Sequence, residues 1–168
     1  MPKAIDFLLV FLIYLTISLP ASAAVKRPAD VWNFYHFDGI AFISGPAVDG
    51  SAFLAVKEKL LPVVLTDQTA PIEQTALPDG SGAIAGICYL QSSGGKLGGG
   101  GGFKPYPRLP LLISKEGKEF VTVQTDNHGY FMVVLPAGIY SVGGGPSITV
   151  ERGISTLVPL RVGKRMVD

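Results

Sequence analysis

Asp126-Asn127-His128 groups a carboxylate, an amide and an imidazole within three positions, the side chains that general acid–base chemistry uses. A hydrolase built there would also need an activated nucleophile, and no Gly-x-Ser-x-Gly elbow exists to hold a strained, exposed serine. The wider string, Thr125-Asp126-Asn127-His128-Gly129-Tyr130-Phe131, has a simpler reading. Asp accepts hydrogen bonds from turn amides, Asn tolerates left-handed backbone, and Gly takes positive φ without steric cost. The trio therefore reads as a hairpin turn, and no catalytic residue is assigned.

Metal chemistry fares no better. A zinc site needs several closely spaced His, Cys or carboxylate ligands, and the chain has 2 histidines, His36 and His128, neither in a His-x-x-Glu or His-Glu-x-x-His pattern. His36 with Asp38 offers two ligands, for which exposed or capping roles are the better reading. Asp-Gly pairs begin at Asp38, Asp49 and Asp79, too scattered for the converging oxygens of a calcium loop, and read as turns. The glycine run around Lys96 invites a phosphate cradle, but Leu97 stands where Ser or Thr is needed. A proline-punctuated segment follows in place of a helix N-terminus. No metal and no cofactor is expected.

Two sets of residues are candidates for a ligand or partner surface. Trp32, Tyr35 and Phe37 could form an aromatic platform for a sugar, although burial in a core competes with that role. Lys96, Phe103 and Tyr106 sit in or beside the glycine-rich segment from Gly94 to Gly102.

The elements that would position these groups are short. The chain holds 21 Gly and 13 Pro, with brief apolar runs rich in β-branched residues, a combination that favours an all-β domain. Strands are predicted over 83–90, 109–114, 120–125, 130–135, 139–142, 147–150 and 156–162. Val121, Val123 and Thr125 share one face while Thr122 and Gln124 take the other, as one strand of an antiparallel sheet with a wet face should. Ahead of these, 52–56 and 63–66 read as strands, 68–82 as a linker, and 30–38 as neither strand nor helix. This extension, residues 24–80, is expected to add strands to the same sandwich, because so short a segment would struggle to bury a core of its own.

The first 23 residues read as a signal peptide. Lys3 is a weak n-region, Phe7 to Leu19 is apolar, Pro20 breaks it, and Ala21-Ser22-Ala23 suits signal peptidase. That run falls short of the about 20 residues a membrane span needs, so contact with a membrane is expected only if the segment stays uncleaved. Cleavage leaves 145 of 168 residues and places the protein outside the cytoplasm, periplasmic or extracellular. Net charge is +1, which gives no case for nucleic acid. Cys88 is the single cysteine, so no internal disulfide is available, and its neighbours Ile84, Ala85, Ile87 and Leu90 mark it as a small buried hydrophobe.

The arrangement Gly82-Ala83-Ile84-Ala85-Gly86, then Val123-Gln124-Thr125-Asp126-Asn127-His128-Gly129-Tyr130-Phe131, then Leu135-Pro136-Ala137-Gly138-Ile139-Tyr140 resembles the carboxypeptidase regulatory-like domain. The resemblance spans about residues 82–162 of a domain set at 81–168. It implies a transthyretin-like, antiparallel sandwich of seven strands, and an accessory role in exported or envelope proteins in which the domain stabilises, spaces or binds. The expectation is thus a non-enzymatic exported envelope module, structural or protein-binding, with carbohydrate or another small ligand held by the N-terminal aromatics as the alternative. An accessory to a secreted hydrolase stands third.

Overall fold

A computed structural model describes residues 31–91 and 102–163. Within them the protein is all β, with twelve strands in three sheets. The first sheet takes β1 (Asn33–Phe37), β2 (Phe42–Ser44), β3 (Phe53–Val56) and β4 (Val63–Leu65) in the order β2-β1-β3-β4. The second is built around β5 (Ser81–Gln91), with β6 (Phe103–Pro105), β9 (Tyr130–Pro136) and β12 (Ser155–Arg161) paired to it. β7 (Pro110–Lys115), β8 (Lys118–Gln124), β10 (Gly138–Val142) and β11 (Ser147–Val150) form the third, ordered β11-β10-β7-β8.

β5 explains the layering. Its run Gly82–Tyr89 is buried throughout, and a strand covered on both faces reads as a continuous apolar stretch. Ile84 and Cys88 face one core with Leu111, Ile113, Phe131, Val133, Leu135, Tyr140, Val142, Ile148 and Val150. Ala85, Ile87 and Tyr89 face another with Phe37, Leu54 and Tyr130. The second sheet is thus the middle layer between the other two. The seven strands expected after Gly82 are all present, joined by β6.

Two features depart from expectation. The extension does add strands, but as a third layer with its own sheet. Its β3 is buried on both faces, the far one lying in a small core of Phe53, Ala55 and Leu65. Trp32, Phe34, Ala70 and Ile72 cover that core, so the stretch read as a linker wraps the sheet instead. Backbone bonds from Leu61 N to Thr75 O and from Leu77 N to Lys59 O, each 2.8 Å, hold it there. The second departure is β12, which pairs with β5 in parallel, from Ser155 opposite Ala83 to Arg161 opposite Tyr89.

Close approach at β5 requires glycine. A Cβ on Gly86 would overlap Val158 O and lie 2.7 Å from the ring of Phe131, its direct partner on β9. The corner between β9 and β10 is tied by the Tyr140 hydroxyl, which donates to Pro136 O at 2.9 Å while its ring stays in the core. Buried Thr125 plays a similar part at the end of β8, accepting from Leu109 N at 2.8 Å and donating to Tyr106 O at 2.9 Å.

Candidate functional site

The 125–129 turn is as its residue types suggest. Asp126 Oδ1 accepts from the amides of His128 and Tyr130, both at 2.8 Å, and Gly129 has φ of 78°. The carboxylate is thereby engaged by backbone. Asp38 behaves alike, its Oδ1 accepting from Ile40 N at 2.7 Å and Ala41 N at 2.8 Å. Those two amides, Ala41 foremost, hold its pKa below the usual carboxylate value. No cluster of three or more His, Cys, Asp or Glu suited to a metal occurs among the described residues.

What the turn does is bring His128 to a cleft. The cleft has a volume of about 610 Å³ and gathers residues from four parts of the chain. β1 supplies His36 and Phe37, the β2–β3 loop Asp49 and Ser51, β6 Phe103, and the 125–129 turn His128. Ile87 and Tyr130 from the middle sheet also line it, and the Tyr130 hydroxyl is fixed by donating to Ala52 O at 2.8 Å. Such a volume is in the range that holds small ligands, roughly 300–1,000 Å³. His36 Nδ1 lies 2.8 Å from Gly45 O. A carbonyl can only accept, so Nδ1 carries the proton and a neutral ring keeps its lone pair on Nε2.

The aromatic platform is corrected. Strand periodicity sends Trp32 and Phe34 to the outer face of the first sheet, against Phe53 and Ala55, while Phe37 faces the middle sheet. Phe37 is only 5 % exposed, packed 4.6 Å from Tyr89 and 4.8 Å from Phe103 between ring centroids. Tyr35 is half-buried, opposite Leu54. The three rings therefore do not share a surface. Phe103 does line the cleft, half-buried; Tyr106 is half-buried against the sandwich core; Lys96 is outside the described residues. His36, Asp49, Ser51 and His128 were not foreseen as one site, and no spacing in the sequence brings them together.

Two buried groups make stability depend on pH. Burial pushes the Cys88 thiol up to about 12, and burial, with the charge of Asp126, pushes Tyr130 to about 12. Both folded values exceed their ordinary values of 9.0 and 10.0. The neutral forms are therefore favoured by folding, and their contribution is intact below pH 9 and lost as pH rises toward 12. Denaturant midpoints should hold steady from pH 6 to 8 and fall between pH 9 and 12, less steeply in Cys88→Ala. An equal fall in that variant would remove the thiol from the explanation.

Fold and cleft together define an all-β, three-layer protein carrying a recessed site of mixed polarity. No family model matches the chain, and no curated protein matches it. Among solved structures, a minor pilin of the Gram-positive pathogen Streptococcus agalactiae is similar at 12 % identity, over 76 % of this chain and 67 % of its own, with a TM-score of 0.35. A likeness that loose says nothing of what this chain does.

Proposed function

We propose that the chain is an exported, non-enzymatic module of the cell envelope that holds a partner protein by strand addition along β8. The export rests on the leader-like first 23 residues, and the module character on the resemblance of residues 82–162 to carboxypeptidase regulatory-like domains. No helix of the described residues is long and apolar enough to cross a membrane.

The observation that carries the reading is the open flank beside β8. Among the described residues this strand ends its sheet, runs seven residues without proline, and leaves its outer backbone groups unpaired by any strand. Val121 lies opposite core residue Ile113, and the Phe120 ring meets Tyr140 at 5.5 Å, so both belong to the core side of the sheet. Yet Phe120 is 49 % and Val121 36 % exposed, because no other described residue closes that side. An added strand would satisfy the backbone and cover both. Other edges suit less: β12 carries Pro159, β9 ends in Pro136 and is mostly buried, β11 has four residues, and β2, β4 and β6 have three each. A register shift at Ile113/Ser114 with charged Lys118 and Glu119 blunts the start of β8, leaving its second half to pair.

The test is photo-crosslinking from a benzoylphenylalanine at Thr122, whose side chain points away from the core, in the intact envelope. One discrete adduct is expected, lost when Val121→Glu is added. Failure to recover any adduct sinks the proposal.

A further inference from the structure

We infer that the cleft beneath the β2–β3 loop binds a neutral, hydroxyl-rich ring, such as one hexose unit of a polysaccharide. The site is independent of the strand-addition reading, since none of its lining residues belongs to β8.

The lining sorts candidate ligands by charge. Among the described residues no Lys or Arg lines the cleft, and Asp49 places a carboxylate at its rim, so an anion meets repulsion there. Asp49 is held ionised, its pKa lowered by hydrogen bonds from the Ser51 hydroxyl and amide, the latter at 3.1 Å. A cation would meet a single carboxylate among the described lining residues, too few to hold it. Neutral hydroxyls suit every polar group present. His36 Nε2 accepts, as do the Asp49 carboxylate and the Ser51 oxygen, whose own proton goes to Asp49, while the His128 ring can donate or accept. The His128 imidazole is exposed and hydrogen-bonded to nothing among the described residues, the turn using only its backbone amide.

The apolar part completes the match. Phe103 is half-buried, its plane fixed by edge contacts to Phe37 at 4.8 Å and Tyr89 at 6.2 Å. A ring held so can receive the C–H face of a pyranose with little loss of side-chain freedom. Polar groups on the rim and a fixed aromatic within it are what a sugar ring, polar at its edge and apolar on its faces, demands.

The experiment is an NMR titration of the exported chain with methyl glycosides and short linear oligomers of glucose, mannose and N-acetylglucosamine. A hexuronate oligomer and putrescine serve as charged probes. At least one neutral saccharide should move the His36 and His128 imidazole signals. Phe103→Leu should weaken that binding about fivefold, measured well below its melting temperature. Ser51→Ala, on the exposed rim, gives the same readout if Phe103→Leu fails to fold. The inference is overturned if no neutral saccharide moves the imidazoles, if hexuronate or putrescine binds more tightly, or if the folded variants bind as the parent does. Loss of the β8 adduct with saccharide binding intact, or the converse, separates the two sites.

Discussion

Gly129→Val is expected to lower stability by about 3 kcal/mol, from forced positive φ and overpacking together, whereas His128→Ala beside it should change stability by less than about 0.5 kcal/mol. Gly129 has φ of 78°, a region closed to a β-branched residue. A Cβ there would also lie 2.9 Å from Cys88 O and 2.9 Å from Tyr106 N. These atoms cannot retreat, because Cys88 O accepts from Tyr106 N, and Cys88 N donates to Gly129 O, each at 2.8 Å. The turn is therefore stitched to β5 at the point where β9 leaves it and β6 takes over. His128 is exposed and its side chain holds nothing in place. Thermal melts of both variants check this, with a drop of about 10 °C for the valine and almost none for the alanine. Equal melting temperatures would refute it. The same His128→Ala protein should nevertheless lose saccharide-induced shifts at His36, separating a stable fold from an occupied cleft.

The second large effect is expected at Gly86→Ala, where backbone conformation is ordinary and space is the whole issue. The added methyl would overlap Val158 O and stand 2.7 Å from two carbons of the Phe131 ring. Phe131 covers Gly86 from β9, as an aromatic does beside a strand glycine, and it cannot turn aside within a filled core. Relief would have to come from β12 moving off β5, which costs ladder hydrogen bonds along seven paired positions. A loss of about 3 kcal/mol or more follows. Gly163→Ala, whose added carbon meets no other described residue within 4 Å, is the matched control. Chemical denaturation of the two proteins decides the matter: similar midpoints would show that the middle sheet yields more easily than its packing implies.

Much of the sandwich was legible because its signals are local. The alternation of Val121, Val123 and Thr125, the Asp126–Gly129 turn and the Pro136-Ala137-Gly138 corner each fix a strand or its reversal within a few residues. β5 announced its burial on both faces through Ala83–Leu90, though not what lay on each side. The parallel partner of β5 was hidden, since nothing in Ser155–Arg161 states a direction. β2 and β6, three residues each, are too short to show a period, and they form because β1 and β5 offer edges. The linker reading of 68–82 followed its Pro and Thr content and missed that Ala70 and Ile72 could seal a sheet. The cleft was illegible for a related reason. His36, Asp49, Phe103 and His128 meet only after three layers stack, and each alone reads as a turn or core residue.

The parallel seat of β12 bears on how the chain is made and moved. Its seven residues fill one whole flank of β5, some seventy positions earlier in the chain. A nascent or translocating chain can form the first sheet and the β7–β8 hairpin from near neighbours. The middle sheet can pair β5 with β6 and β9 early, but its far flank waits for β12. Until then Gly82 to Tyr89 lies open along one edge, an apolar strand with no proline and almost no charge, the kind of surface that chaperones retain and that aggregates without them. Long-range closure of that type also makes for slow folding, on the milliseconds-to-seconds scale of β proteins with distant pairings. Docking of β12 would thus set the pace at which the fold closes.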